Sequence, residues 1–445
     1  MMSHIDEEIL RSVTTRPTRA YRVTCIVLAL VLLWSFVAWG WQIRHGLGVT
    51  GLNSPVFWGL YLVNFVFFIG ISHAGTLISS ILRLTNTWWR RPFTRLAEAI
   101  TVFSLPFGAT SVIVDLGRPD RLFNVLKFPH FTSAILWDVV CITTYLITSC
   151  LYFYLALVPD IAVCRDRFRD TNSWRRSFYR ALAVGWTGTP AQHRTLDRLM
   201  TGMSIFLFAL VISVHTNVSF VFGMTTKPGW HSTIISPFFV LGAIYSGVAA
   251  VIVFAALFRR LFGLEAYLTQ KHFNSCAKFL LALCCFWFYA MIIEHLYVFY
   301  GREEAEFNLV YNKFFGDYAV LFWTMFILCC PLPFIFLAVP RLRTLRNLVP
   351  VCILINIGMW LERYSIIIPS GAHPYLSWGL GSYFPSWVEI SITLGWFAGF
   401  TLLLLLFVRY FPSLTIWEIK EELGANSVTQ SGTDQLVGLP IAANS

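Results

Sequence analysis

Residues 56–84, VFWGLYLVNFVFFIGISHAGTLISSILRL, decide the class of this fold. The stretch is longer than the about 20 mostly apolar residues that a helix needs to cross a bilayer. It also carries Asn64 and His73, and Gly70 and Gly75 lie five residues apart. An imidazole is costly in hydrocarbon unless it faces protein or a water-filled cavity. We therefore predict a membrane-spanning helix that faces other helices and brings a group that titrates near neutral pH into the membrane.

The composition of the whole chain indicates a polytopic membrane protein. Charged residues make up 13% and hydrophobic residues 57% of the 445 residues, whereas ordinary soluble domains carry roughly 25% charged residues. The 10 cysteines form no C-x-x-C pair and no C-x-x-C-H motif. These spacings argue against iron–sulfur clusters, structural zinc and covalently bound haem on this chain.

Hydropathy together with proline and glycine positions predicts ten spans. They are 21–43, 56–82, 96–115, 133–158, 197–222, 233–258, 275–300, 317–339, 347–368 and 386–411. Arginine and lysine are concentrated on the side of the N-terminal tail, so the positive-inside rule places both termini in the cytoplasm. This arrangement accounts for the net charge of +10 without nucleic acid as a partner. Residues 174–186 fit either a helix on the inner membrane surface or a solvated loop.

A short internal similarity predicts two bundles of helices. Residues 67–75 read FFIGISHAG and residues 239–247 read FVLGAIYSG, with glycines at the same spacing. We therefore predict an all-α fold in which spans 2–5 and spans 6–9 form two four-helix bundles of the same orientation, flanked by spans 1 and 10. The predicted segments are 1–55 (N-terminal tail and first flanking helix), 56–222 (first bundle), 223–370 (second bundle), 371–423 (last flanking helix) and 424–445 (disordered tail).

Ionisable residues within the predicted spans are the candidate functional residues. Asp115 ends span 3, Asp138 lies near the start of span 4, and His73 lies deepest. The others lie in the outer parts of spans 5, 7 and 9: His215, Glu294, His295, Glu362 and Arg363.

Several of these residues have a structural alternative. Asp115 fits a helix-end ion pair with Arg118 or Arg121 equally well. Glu362 and Arg363 are adjacent and point about 100° apart around the helix, so each is expected to need a separate partner.

A pair of histidines at equal depth on facing helices would bind haem b. His215 and His295 meet the depth condition, but the sequence has no second pair of histidines toward the other membrane face, as the usual two-haem pattern requires. The sequence therefore argues against haem b. It also shows no metal site.

Taken together, several motifs resemble the NrfD/polysulfide-reductase family of membrane subunits, and within it the larger such subunit of bacterial alternative complex III. The motifs are GISHAGTLISSILRL (70–84), DLGRP (115–119), ILWDVVCITTYL (135–146), PGWHSTI (228–234), PFFVLGAIYSG (237–247) and NIGMWLER (356–363). The resemblance implies a subunit without its own redox cofactor, which binds menaquinol or ubiquinol near the outer membrane face. An extrinsic iron–sulfur subunit of ferredoxin-like or molybdopterin type would accept the electrons. Multihaem c-type cytochrome subunits and a second NrfD-like membrane subunit would complete the complex.

The resemblance also implies roles for particular residues. The expected quinone contacts are Asn64, His73, Arg118, Trp137 and Asp138. Quinol oxidation releases two protons, and Asp138, His73 and Asp115 are of the types that accept them. The expected proton path, or else a structural lock, consists of His215, Glu294, His295, Glu362 and Arg363. Linear spacing puts His73 deeper than Asp138, so the helices would have to tilt for both to reach one quinol.

Two other functions remain open at this point. A secondary transporter also uses repeats and buried charges, but Pro106, Pro331 and Pro333 do not break equivalent spans, as the helix breaks of transporters usually do. A non-catalytic membrane anchor of the same kind of complex would show the same spans. We favour the quinol-active interpretation because the first bundle keeps both His73 and Asp138.

Overall fold

The computed structural model describes residues 9–85, 87–168, 174–375 and 380–417. Within these ranges all regular structure is helical, and ten helices are long and apolar enough to span a bilayer. The predicted all-α class and the ten spans are therefore confirmed. The predicted disordered tail, 424–445, lies outside the described residues.

Apart from four-residue helices at Arg11–Thr14 and Asn124–Lys127, the described residues form ten spanning helices and two α-helices of 9 and 12 residues. They are α1 (Arg19–His45), α2 (Leu60–Leu84), α3 (Arg91–Asp115), α4 (Ala134–Arg167), α5 (Trp174–Leu182), α6 (Pro190–Gly223), α7 (Ile235–Phe262), α8 (Gln270–Gly301), α9 (Glu304–Phe315), α10 (Ala319–Ala338), α11 (Leu345–Ala372) and α12 (Trp387–Tyr410). The short helices α5 and α9 are not spans. Of the two alternatives for residues 174–186, the helix is found over Trp174–Leu182.

Several predicted span ends differ from the helix ends, and at two of them the reason is a buried charge. Helix α3 begins at Arg91 rather than at residue 96, and α4 continues beyond residue 158 to Arg167. A hydropathy window stops at charges, but these charges neutralise one another inside the protein. Arg95 of α3 is fully buried, and its guanidinium lies 2.7 Å from the carboxylate of Asp160 in α4.

Helix α2 lies at the centre of the molecule. Helices α3, α6, α7, α11 and α12 all pack against it, and its most apolar stretch is buried throughout. Gly75 permits the closest approach, since a Cβ there would lie 1.9 Å from the carbonyl oxygen of Ala97 in α3. Gly70 faces α7, where a Cβ would lie 3.4 Å from the Cα of Ala243. The stretch that decides the fold therefore holds the candidate residues against neighbours from both halves of the chain.

Most of the remaining contacts lie within two sets, although α3 and α6 also pack against α7. Helices α3, α4 and α6 contact one another or α2, and α8, α10 and α11 contact one another or α7. Helix α1 packs mainly on α12, and only 11% of its apolar stretch is buried. The two-bundle grouping, the same-orientation repeat and the segment boundaries stay predictions.

Candidate functional site

His73 of α2 and His215 of α6 lie side by side, with ring centroids 4.5 Å apart. Both are fully buried. Nδ1 of His73 lies 2.6 Å from the carbonyl oxygen of Ile69, and Nε2 lies 3.0 Å from that of Val211. A neutral imidazole has one N–H to donate, whereas the imidazolium has two. A neutral His73 can therefore donate a hydrogen bond to one of these two carbonyl oxygens.

His215 presents the opposite case. Neither of its ring nitrogens has a hydrogen-bond partner within the described residues. Sequence spacing placed His215 in the outer third of its span and His73 nearer the inner face, so it did not predict that the two rings meet. The pair depends on the packing of α6 beside α2.

Tyr145 of α4 completes this cluster, although the sequence did not single it out. Its hydroxyl lies 2.8 Å from Thr76 Oγ1 and donates to the carbonyl oxygen of Ser72, and its ring lies 5.4 Å from that of His73. Residues seven apart share a helix face, so the position of Tyr145 relative to Asp138 was a usable signal. A π-helical turn follows at Leu77–Ile81, and such turns are frequent at functional sites.

Asp138 is buried near the N-terminal end of α4, with 8% of its surface exposed. Its Oδ1 has no hydrogen-bond partner within the described residues. Asp138 lies two helical turns before Tyr145 on α4, about 10 Å along the axis. Between them, Cys141 Sγ lies 2.8 Å from the amide of Asn217 in α6. Asp138 is therefore separated in depth from His73 and lies on the side of α4 that leads toward His215.

Asn64 faces a different part of the molecule. Its amide nitrogen donates to Thr393 of α12 at 2.8 Å, and its amide oxygen accepts from Trp360 of α11 at 3.0 Å. Both ends of the amide are thus used to connect α2 to the last two spanning helices.

Asp115 ends α3, Arg118 follows it in the connecting segment, and Trp137 lies in the first turn of α4. Arg118 is exposed and pairs with Asp120 at 2.9 Å, so the alternative ion pair between Asp115 and Arg118 is wrong. The chain turns sharply after α3 at Gly117, whose φ is +66°. Asp115 Oδ1 is buried and has no hydrogen-bond partner among the described residues. The indole of Trp137 donates to the carbonyl oxygen of Phe131 at 2.7 Å.

A second polar cluster lies among α7, α8, α9, α10 and α11. It surrounds a cavity of about 40 Å³ whose ionisable lining residues are Glu294, His295, Lys313 and Glu362. This volume has room for about three water molecules. Glu294 accepts a hydrogen bond from Ser232. The arrangement is suited to holding protons on carboxylates and water.

His295 does not face His215. Its ring stacks on Phe314 at 5.2 Å, and its Nδ1 lies 2.8 Å from the carbonyl oxygen of Met291. The ring neighbours of His215 are His73 and Phe239 instead. The two histidines that share a depth therefore do not form a facing pair, while the argument against haem b stays a prediction.

Glu362 and Arg363 of α11 pair with each other, which the prediction did not include. Each also has a separate partner, as predicted: the indole of Trp287 for Glu362 and the carbonyl oxygen of Phe239 for Arg363. The charged groups of Glu362 and Arg363 lie 2.7 Å apart, and both residues are 1% exposed. Adjacent positions diverge at the backbone, but these two side chains are long enough to meet beyond it. The guanidinium of Arg363 also lies over the ring of Phe239 at 5.1 Å, and that ring is 6.0 Å from His215. Arg363 therefore connects the histidine pair to the carboxylate-lined cavity.

Lys313 is the second residue that the sequence did not single out as a candidate, because it falls between spans. It lies on α9 and reaches the cavity. Burial lowers the pKa of Lys313 from 10.5 to about 8, although Glu294 and Glu362 act in the opposite direction. Among the described residues, no three histidine, cysteine or acidic side chains are grouped so that they could hold a metal ion.

We expect Lys313→Met to remove a pH dependence of stability. The folded-state pKa lies below the ordinary value, so the unfolded chain binds more protons between about pH 8 and 10.5. The stability of the wild type should therefore rise with pH across this window relative to the variant. Thermal unfolding midpoints in detergent at pH 7.5 and 9.5 measure this difference. Lys127→Met, at an exposed lysine, serves as the control, and parallel pH curves for Lys313→Met and wild type would contradict the assignment.

Comparison with known proteins places the chain in a family. Residues 48–373 match the model of the family described as "Polysulphide reductase, NrfD". The chain is 26% identical to a putative dimethyl sulfoxide reductase membrane subunit of Halobacterium salinarum, over 87% of this chain and 90% of that protein. It is 24% identical to a selenate reductase subunit of Mesobacillus selenatarsenatis, over 81% and 84%. It is 22% identical to the Hdr-like menaquinol oxidoreductase integral membrane subunit of Archaeoglobus fulgidus, over 90% and 96%. Since the family model covers residues 48–373, this multi-pass membrane protein belongs to the NrfD/polysulfide reductase family.

Proposed function

We propose that this chain is the quinone-interacting membrane subunit of a quinol oxidoreductase complex. The relatives support this class, since two are named as subunits of reductases and one as an integral membrane subunit of a menaquinol oxidoreductase. The observation that carries the proposal is the buried His73–His215 pair, together with Asp138, which is buried on a helix that packs against α6. Asp138 Oδ1 and both ring nitrogens of His215 have no hydrogen-bond partner within the described residues.

The proposed headgroup position lies between Asp138 on α4 and His215 on α6, toward the outer membrane face. Oxidation of a quinol to a quinone releases two electrons and two protons. A carboxylate and an imidazole within hydrogen-bond reach of the two hydroxyls are suitable acceptors. Arg118 and Trp137 lie at the outer rim, where they fit contacts with the headgroup entrance or a partner better than contacts with the reacting oxygens. Asn64 is assigned a structural role because its amide nitrogen and its amide oxygen each make a hydrogen bond to another helix.

The two protons leave by different routes in this proposal. Asp138 lies near the outer end of α4 and releases its proton outward. His215 passes its proton to His73, whose two ring nitrogens face the carbonyl oxygens of Ile69 and Val211. Beyond Arg363 lies the cavity that Glu362 and Glu294 line, and it offers the proton a route toward the second helix set. His295 and Lys313 line the same cavity and adjust its charge.

The finer features of the complex are part of the proposal. We propose an arrangement of the alternative complex III type, in the bacterial inner membrane with both termini cytoplasmic. An extrinsic iron–sulfur subunit at the outer face accepts the electrons, and multihaem c-type cytochromes and a second NrfD-like subunit complete the assembly. Proton translocation would use the buried groups that join the two helix sets.

A photoreactive azidoquinone tests the proposed position. The complex, purified through a tag on this chain, is labelled under light, and the modified peptides are identified by mass spectrometry. We expect labelling in the outer halves of α4 and α6, between Asp138 and Asn217, with protection by excess unlabelled quinone. Labelling confined to α8–α11 would move the site to the second cluster. Labelling of partner subunits alone would support the silent-anchor alternative.

A further inference from the structure

The short helix α5 is held firmly against the end of α4. Tyr154 of α4 donates a hydrogen bond to the carbonyl oxygen of Leu182 at 2.9 Å, and Arg165 donates to that of Trp186 at 2.8 Å. Tyr179 is buried, and its hydroxyl donates to the carbonyl oxygen of Tyr410 at 2.6 Å. These three attachments fix how α5 presents its arginines.

The arginines of α5 are used in two different ways. Arg175 is a structural residue, since it donates to the carbonyl oxygen of Val13 at 3.0 Å and lies over the ring of Phe168 at 5.6 Å. Arg176 and Arg180 are exposed and four residues apart, so they share a face of the helix. Among the described residues, no carboxylate pairs with either of them.

Arg176 and Arg180 open onto a cavity of about 540 Å³, which Arg165, Asp166 and Gly185 also line. Asp166 pairs with Arg165 at 2.8 Å. With three arginines and one aspartate among its lining residues, the cavity carries an excess of two positive charges.

The cavity lies at the level of the lipid headgroups. Helix α4 has 34 residues and is about 51 Å long, which exceeds the about 30 Å of the hydrocarbon core. Its last turns therefore leave the core on the arginine-rich side of the protein. Trp174 and Val184 flank the arginines and are 61% and 70% exposed. An exposed tryptophan beside cationic residues is typical of a membrane interface.

We propose that this cavity binds the headgroup of an anionic phospholipid from the adjacent leaflet. The planar guanidinium groups of Arg176 and Arg180 bind phosphate oxygens through paired hydrogen bonds. The excess of positive charge selects a lipid with net negative charge over a zwitterionic one. Trp174 and Val184 provide apolar contact for the acyl chains, which a free phosphate ion would lack.

The test uses the full chain, purified in a neutral detergent and depleted of lipid. Native mass spectrometry measures binding of phosphatidylglycerol, phosphatidylcholine and inorganic phosphate. We expect R176Q/R180Q to weaken binding of phosphatidylglycerol roughly 30-fold, and either single substitution roughly fivefold. The control is R194Q/R198Q, which removes the same charge at the same spacing from exposed positions of α6.

The outcomes separate the site from general attraction. A selective loss in R176Q/R180Q, with little change in R194Q/R198Q and in binding of phosphatidylcholine, supports the proposal. An equal loss in both double variants would mean that surface charge alone attracts the lipid. Competition by inorganic phosphate with the same dependence on arginine would assign the cavity to a soluble anion instead. If the double variant does not fold, the single substitutions carry the same comparison.

Discussion

Asp138→Asn is expected to lower the rate of quinol oxidation by the purified complex at least 100-fold, within the range associated with loss of a general base. Asparagine keeps the shape of the side chain but cannot accept a proton. Asp138 Oδ1 has no hydrogen-bond partner within the described residues, so the substitution removes a proton acceptor without breaking a bond at that atom. The measurement is oxidation of a short-chain quinol analogue with an artificial electron acceptor.

The control for this experiment is Asp120→Asn. Asp120 is an exposed carboxylate near the same membrane face and pairs with Arg118. We expect its quinol oxidation rate to stay within twofold of the wild type, because exposed ion pairs contribute little. If Asp138→Asn assembled normally and kept the full rate, the acceptor would have to be sought at Asp115 and His215, or the chain would be a silent anchor.

Glu362→Gln is expected to destabilise the protein more than Asp138→Asn or Lys313→Met. The change leaves the guanidinium of Arg363 buried without its carboxylate, and removal of one partner from a buried ion pair costs about 3–5 kcal/mol. The other contacts of Arg363, the carbonyl oxygen and ring of Phe239, are not charged. Thermal unfolding in detergent and the yield of folded protein measure the effect.

A double substitution separates the charge from the shape of this site. E362Q/R363M removes both charges, so we expect it to recover most of the stability that Glu362→Gln loses. It should still slow proton release if the Glu362–Arg363 pair is part of the proton route. If Glu362→Gln were as stable as the wild type, the pair would not be the buried ionic contact that its 2.7 Å separation indicates.

The sequence predicts the fold well because hydropathy determines which segments cross a membrane. All ten predicted spans correspond to helices, and errors occur at ends such as that of α3, where a buried charge resembles a loop. The charge of Arg95 is neutralised by Asp160, which lies 65 residues away. A hydropathy window averages over neighbours along the chain, so it cannot identify a partner that is so distant in sequence.

The candidate site was predicted less completely. The residue types and the central role of the stretch around His73 follow from sequence, but the contact between His73 and His215 depends on how two helices pack. The pairing of Glu362 with Arg363 depends on side-chain conformation, which helix geometry alone does not fix. Lys313 was missed because its helix is too short to be a span, although Lys313 itself lines the cavity.

The enclosure of α2 has a consequence for how the protein is made. The amide of Asn64 finds its partner Thr393 only 329 residues later in the chain. At about 5–20 residues per second, translation needs roughly twenty seconds to a minute to deliver α12. During that time α2 lies in the bilayer with the amide of Asn64 unpaired, and the faces that pack against later helices are exposed to lipid. A nascent chain that stops before α11 exposes this polar face to lipid, and we expect quality-control proteases to recognise it as unfinished.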